Sequence, residues 1–243
     1  MKSIRSILYY AILTTSLILI AIFLWWVLLL PKKYVRHFGG LWDGFAVWTL
    51  KVVCGIKTEM RGKEYLDEES VIYASKHQSA LETFYLGYTI INSAFTLKRE
   101  LYWIPIFGWF LARAGMVGID RKAGRQSIQK MLKEARVVRE EGRPFLLFPE
   151  GTRRSVDAEP DYKAGVYMLY KDLGLRVVPV AHNAGMFWKR GALDKTAGTA
   201  VFEFLPHIEP GLSKDEFMHR LIDSIESKTN ALVAEAYENK KPK

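Results

Sequence analysis

Cysteine is almost absent: Cys54 stands alone in a chain of 243 residues, which excludes an intramolecular disulfide framework. Its neighbours are apolar, so it reads as a small buried hydrophobe and not as a reactive thiol. The five histidines are scattered, and no Cys/His grouping has zinc spacing, so nothing calls for a structural metal site. Proline is sparse, with nine residues. No Pro/Gly/Ser-rich linker divides the chain, and the expectation is one substantial globular domain with appendages. Acidic side chains are in deficit, 26 against 35 Lys and Arg, for a formal net charge of +9. That excess implies an anionic partner, for which nucleic acid, anionic lipid and an acidic protein are the choices. With no recognition motif and no basic-aromatic ladder, nucleic acid is set aside.

Charge is missing altogether from Ile7 to Leu30, where Thr14, Thr15 and Ser16 interrupt an apolar run. At about 1.5 Å per residue such a helix crosses a ~30 Å hydrocarbon layer. The alternative is a cleaved signal peptide, but the run is longer than a signal core, and Leu28-Leu29-Leu30-Pro31 offers no small-residue cleavage site. Lys2 and Arg5 precede it and Lys32, Lys33 and Arg36 follow, which leans slightly towards a cytoplasmic body. A second segment, Phe38 to Ile56, carries Trp42, Phe45 and Trp48 together with Asp43 and Lys51. It suits an interfacial helix better than a second crossing, with a core helix as the alternative. The expected division is therefore residues 1–60 as membrane-associated helices and 61–243 as the main domain.

In that domain short apolar runs alternate with helical patterns. Val71 to Ser75, Ala94 to Leu97, Phe145 to Phe148, Val177 to Ala181 and Ala200 to Leu205 predict strands, the continuous ones buried on both faces. Arg125 to Glu141 predicts a helix with Ile128, Met131, Leu132, Ala135 and Val138 on one face. Ser213 with Glu216 forms a capping box for a last helix, and 239–243 is read as a frayed basic end. The alternation predicts an α/β layered fold with a largely parallel mixed sheet flanked by helices.

Four strings bear on chemistry. In the first, an apolar run ends at Lys76-His77, and Glu82 follows five positions after the histidine. Residues so spaced do not share a helix face, so they meet only if His77 precedes the first turn and Glu82 lies inside it. A histidine held by a carboxylate is the minimal device for drawing a proton from a hydroxyl. The second is Phe148-Pro149-Glu150-Gly151-Thr152-Arg153 at a strand end, where open α/β sheets bind ligands. Gly151 permits close backbone approach, Thr152 offers a hydroxyl and Arg153 a fork of donors for phosphate, against the plain reading of a solvated turn. The third runs from Lys98-Arg99 through Ile104-Pro105-Ile106-Phe107-Gly108 to Ile119-Asp120-Arg121. Its cations suit a phosphate cradle; Trp103 to Leu111 floors an acyl groove, rests against a bilayer or, as the segment alone favours, is a core helix. In the fourth, Val177 to Val180, Pro179 suggests a sheet edge or bulge. His182 follows that strand; a structural role is favoured over a place in the cleft.

In this order the strings resemble the glycerolipid acyltransferase family and, within it, the bacterial 1-acyl-glycerol-3-phosphate acyltransferases. The resemblance covers about Val71 to Val180. The family usually has aspartate where this chain has Glu82; lipid A acyltransferases also use His-x4-acid but do not normally carry the Phe-Pro-Glu-Gly-Thr-Arg string. The resemblance implies that His77 is the general base, oriented by Glu82, that Lys98, Arg99 and Arg153 hold the acceptor phosphate, and that Glu150, Gly151 and Thr152 shape the acceptor site. It implies transfer of an acyl group from an acyl thioester, acyl-ACP or acyl-CoA as co-substrate, to lysophosphatidic acid, with no bound cofactor and no covalent acyl-enzyme. It also implies a membrane-embedded or re-entrant N-terminal two-helix unit, contact with membrane lipids, a bacterial inner-membrane location with a cytoplasmic body, and acyl carrier protein as a partner where it is the donor. Acylation of another lysolipid, or non-catalytic lipid binding, are the rival readings.

Overall fold

Strands form where both faces of the apolar runs are covered, as in β2 (Ile72–Ser75), β5 (Phe145–Leu147) and β6 (Val177–His182), whose side chains are all buried. The structure, a computed structural model, describes residues 2–66, 70–120 and 124–238; Arg121 and the tail 239–243 lie outside it. Among the described residues β1 (Ile56–Arg61), β3 (Ala94–Lys98), β4 (Val117–Ile119) and β7 (Gly198–Phe204) complete a seven-stranded sheet of order β1-β7-β6-β2-β5-β3-β4. All neighbours are parallel except β6 and β7. The expected mixed, largely parallel sheet is therefore present. The two strands not foreseen, β1 and β4, are its edges. Half-exposed, mostly polar β1 and three-residue β4 lack the apolar run that marks a central strand.

Helices cover both faces: α1 (Lys2–Phe23), α2 (Lys32–Thr49) and α3 (Leu81–Thr89) lie with Tyr73, Leu146 and Val178 on one side. On the other, α5 (Gly124–Glu140), α6 (Gly165–Leu173) and the first half of α7 (Lys214–Glu238) lie with Ile72, Ala74, Phe145, Leu147 and Val177. Alternate residues of each strand thus feed different cores, as period-two side chains must. Ser213 caps α7 by accepting the Glu216 N–H at 3.3 Å, but Glu216 binds Arg220 at 2.8 Å, so the box closes on one side only.

Pro179 is not at an edge, because β6 lies between β7 and β2. The bulge is there instead. Val177 pairs with Ile208 while Leu205 donates to Pro179, so Val178 faces both Pro206 and His207, and the missing proline N–H falls at this irregularity.

The N-terminal expectation needs correction. The apolar run does not continue as one helix to Leu30: α1 stops at Phe23, and Trp25–Leu29 coils as a 3₁₀ turn ahead of Pro31, which disfavours helix at the residue before it. Among the described residues α1 alone is long and apolar enough to cross a membrane, so there is one such helix and not two. It is not a free anchor, since Ser6, Tyr9 and Leu13 are buried against the body. Ser6 Oγ accepts the Lys195 N–H at 3.1 Å, Trp42 Nε1 donates to Ser16 Oγ at 3.0 Å, and Cys54, buried as expected, donates to the Arg5 carbonyl. The Lys195 ammonium lies 5.0, 3.8 and 4.4 Å from the ring centres of Tyr9, Tyr10 and Trp188. Burial brings it down to about 8. The opposite flank of α1 exposes Ile4, Ile7, Leu8, Ile18 and Ile22.

The second segment has two different faces. Val35, Ala46 and Thr49 of α2 are buried, whereas Leu41, Phe45, Trp48 and Val52 form an exposed stripe at helical spacing. The core-helix reading of Trp103 to Leu111 does not hold. In α4 (Phe107–Ala114) only Gly108 and Ala114 are buried, while Trp103 is 78% and Trp109 57% exposed.

Gly108 is needed for space, because a Cβ there would lie 2.2 Å from the Tyr102 carbonyl oxygen, backbone that cannot yield. Gly108→Ala is expected to cost about 1–3 kcal/mol. Gly39→Ala in α2, where a Cβ meets nothing within 4 Å, should instead add up to about 1 kcal/mol through helix propensity. Thermal melts of the two variants check the opposite signs.

Candidate functional site

The site begins where β2 runs out. Ser75 ends the strand, α3 starts at Leu81, and the five residues Lys76 to Ala80 turn between them, which puts His77 ahead of the helix and Glu82 in its first turn. The pair meets: His77 Nδ1 and Glu82 Oε1 are 2.9 Å apart. The same oxygen accepts the backbone N–H groups of Gln78 at 2.9 Å and Ser79 at 2.8 Å. A carboxylate there accepts from Nδ1–H, which leaves Nε2 as the proton acceptor. Burial alone raises the Glu82 carboxyl, but the His77 hydrogen bond, the charges of His182 and His77 and the Ser79 N–H outweigh it and hold it below its usual 4.5.

His77 is held from all sides. Its ring stacks on Phe148, 4.0 Å between centres at 16°. Its carbonyl accepts the Arg154 N–H at 2.8 Å, and its own N–H donates to Glu150 Oε2 at 3.0 Å. The other oxygen of Glu150, Oε1, accepts from the buried Lys76 ammonium at 2.9 Å. Lys76 also reaches Glu226 Oε1 of α7 at 2.7 Å, an oxygen that accepts Tyr162 OH at 2.7 Å too. Both oxygens of Glu150 are thus taken internally, and it serves the backbone of the base. Lys76, Tyr162 and Glu226 were not singled out from the sequence. Lys76 adjoins His77 and is readable in hindsight, but nothing in the sequence around Glu226, 150 positions away, marks its partner.

His182, at the end of β6, is fully buried; Nε2 contacts the Lys76 carbonyl at 2.7 Å and Nδ1 accepts the Ala184 N–H at 3.3 Å. Burial keeps its ring below the usual range despite the attraction of Glu82. The structural reading of this histidine holds.

After β5, Gly151 adopts φ +67°, the left-handed region that favours glycine. Thr152 and Arg153 in this turn are half-buried. Lys98 and Arg99 are exposed at the end of β3. They share the C-terminal edge of the parallel strands, but β5 separates them from β2, about 10 Å at two strand spacings. The structure does not join them to the His77–Glu82 pair.

Two cavities flank Phe84, which lines both. One, about 400 Å³, lies between α1, α2, α3 and α4 and is almost wholly apolar. Asp43 is the one acidic side chain among its described lining residues, and burial drives that carboxyl well above its usual range. The other, about 530 Å³, is walled by α1, Ala80 of the turn after β2, Arg153 and the segment after Trp188. Among the described residues no cluster of three His, Cys, Asp or Glu side chains could hold a metal ion. The arrangement can abstract a proton from a hydroxyl beside a cationic turn and an apolar hollow.

A depressed carboxyl stabilises the fold above its unfolded value and loses that contribution as pH falls through its folded value. The gap in thermal midpoint between the parent and Glu82→Gln should therefore be widest above pH 4.5 and narrow below it; a gap constant down to about pH 3 would contradict the assignment.

The family model described as Acyltransferase matches residues 57–183, from β1 to just past β6. A 1-acyl-sn-glycerol-3-phosphate acyltransferase of Pseudomonas aeruginosa is 36% identical over 205 residues, 82% of this chain and 78% of that protein. One from Limnanthes alba is 29% identical over 189 residues, 75% of this chain and 66% of its own length. The crystal structure of the 1-acyl-sn-glycerophosphate (LPA) acyltransferase PlsC from Thermotoga maritima superposes with a TM-score of 0.78 over 95% of both chains at 20% identity, so the fold is shared.

Proposed function

The chain belongs to the acyltransferase family, and from that premise we propose that it transfers a fatty acyl group from an acyl thioester to the sn-2 hydroxyl of 1-acyl-glycerol-3-phosphate, giving phosphatidic acid. The observation that carries this reading is the buried His77–Glu82 pair, pinned at 2.9 Å beside the turn that bears Arg153.

In this reading His77 Nε2 takes the proton of the acceptor hydroxyl. The oxygen attacks the thioester carbonyl, a C–O bond forms, the C–S bond breaks, and the imidazolium returns its proton to the leaving thiolate. Glu82 holds the Nδ1–H tautomer and steadies the imidazolium. Arg153 binds the acceptor phosphate, with Thr152 and Gly151 shaping the turn. Glu150 acts through its grip on the His77 backbone. Lys98 and Arg99, exposed on the same sheet edge, suit the anionic parts of an acyl-ACP or acyl-CoA donor, or an acidic carrier protein, better than direct contact with the base. The reaction needs the donor as co-substrate and draws on no bound cofactor.

A lipid acceptor fits the surface. The exposed flank of α1, the Leu41-Phe45-Trp48-Val52 stripe and the exposed Trp103 and Trp109 are suited to a bilayer, with tryptophan at interfacial depth. We place the protein on a membrane, residues 1–60 as its lipid-facing part and 61–243 as the catalytic domain on the cytoplasmic side, β1 already belonging to the sheet.

Purified protein should transfer a labelled acyl group to lysophosphatidic acid, and His77→Ala should lower turnover by about 10²–10⁴-fold while the variant stays folded by circular dichroism. Full activity in that variant would remove His77 as the base. Replacing Arg153 with Ala should chiefly raise the acceptor KM. Because Lys76 is 1% exposed and shared between two carboxylates, Glu226→Gln should lower kcat with little change in either KM. A change confined to thermal stability would make Glu226 a stabilising residue only.

A further inference from the structure

The cavity beside α1 is charged in one sense only. Arg153, Lys189 and Arg190 converge on it, and among the described residues that line it there is no acidic side chain. Three cations without a counter-ion repel one another, and an arrangement of that kind is stable when an anion completes it. The cations are also built in to different degrees. Arg190 Nη1 donates to the Arg153 backbone carbonyl at 2.6 Å, tying the segment after β6 to the turn after β5. Arg153 Nε is buried and among the described residues has no hydrogen-bond partner, a donor left waiting.

The remaining walls are apolar: Tyr10 and Leu13 come from α1, and Phe84 and Trp188 close the sides. Lys195, held among the rings of Tyr9, Tyr10 and Trp188, clamps the segment after Trp188 onto α1. Ala80 of the turn after β2 lies on the same wall. The cavity therefore joins a cationic floor, an apolar side formed by α1, and the turn that carries His77.

We propose that this cavity seats the phosphate monoester of the lipid acceptor, and that Arg190 and Lys189, outside all four motif strings, are specificity-determining residues that select a doubly charged phosphate over a phosphodiester or an uncharged glycerol. The inference deepens the function proposed above and rests on it. A phosphate monoester carries about −1.5 to −2 at neutral pH and offers three acceptor oxygens, matching three cationic side chains. A phosphodiester carries one charge and a substituent where the third cation stands. The glycerol and acyl chain of the acceptor then lie along Leu13 and Tyr10.

The test compares the parent with Arg190→Ala, Lys189→Ala, their double variant and Arg190→Lys in detergent micelles. Acyl transfer is measured to lysophosphatidic acid, to lysophosphatidylcholine and to monoacylglycerol. The single Ala variants should raise the KM for lysophosphatidic acid by about 10- to 100-fold, as for loss of a charge-assisted contact, with kcat and the donor KM within about twofold. Preference over monoacylglycerol should fall by the same factor, and Arg190→Lys should recover part of it. An unchanged acceptor KM in the double variant overturns the proposal. So does an equal rise for monoacylglycerol, which would mean general damage, or a rise in the donor KM alone, which would mean that the cations serve the thioester's phosphates. Binding of lysophosphatidic acid to the parent and the double variant, measured by calorimetry without donor, separates the two readings. Weakened binding by the double variant upholds the site even where the parent transfers no acyl group to this acceptor, and equal binding overturns it.

Discussion

One oxygen atom, Glu82 Oε1, holds the site together. It collects the His77 imidazole and two consecutive backbone N–H groups within 2.9 Å, and its residue is fully buried. A carboxylate taken out of water is costly unless donors replace the water; here the replacements are the His77 ring and the turn that carries it. The same contacts that stabilise the charge therefore set the tautomer of His77 and the path of the backbone from β2 into α3. Glutamate performs this from the first turn of the helix, reaching back over a loop that has its own N–H groups turned inward.

A second buried charge stands directly behind the first. Lys76 lies between Glu150 and Glu226, and Glu150 passes the restraint to His77 through the backbone. Removing Lys76 would leave two carboxylates facing each other without a cation, at a cost of about 3–5 kcal/mol. The turn after β2, the turn after β5 and the last helix thereby share one electrostatic arrangement, braced from a third direction by His182 on the Lys76 carbonyl. Phe84 lines both a cationic hollow and an apolar one. The docked α1 contributes Tyr10 and Leu13 to the first and Thr14, Leu17 and Ile18 to the second.

Much of this was legible in residue order. Four- and five-residue apolar runs become central strands because covering both faces demands continuous apolarity, and β1 and β4 escaped notice because edge strands are under no such demand. The spacing from His77 to Glu82 required a strand-to-helix junction, and there is one. Composition misjudged the amino terminus, since apolarity alone does not show that a chain leaves the helix before a proline or that one flank of α1 rests on protein through Ser6 and Tyr9.

By itself the sequence determined the layered fold, the pairing of His77 with Glu82, the family and the cationic turn, because each rests on local periodicity or on residues close along the chain. Only the tertiary structure decided that Glu150 faces inward, that Lys76 is shared with Glu226 from 150 positions away, that Lys98 and Arg99 stand two strands from the base and that Arg190 joins Arg153 over a cavity. Those are contacts between distant segments, set by which strands neighbour one another in a sheet. Strand order leaves no periodic trace in the chain for a linear reading to find.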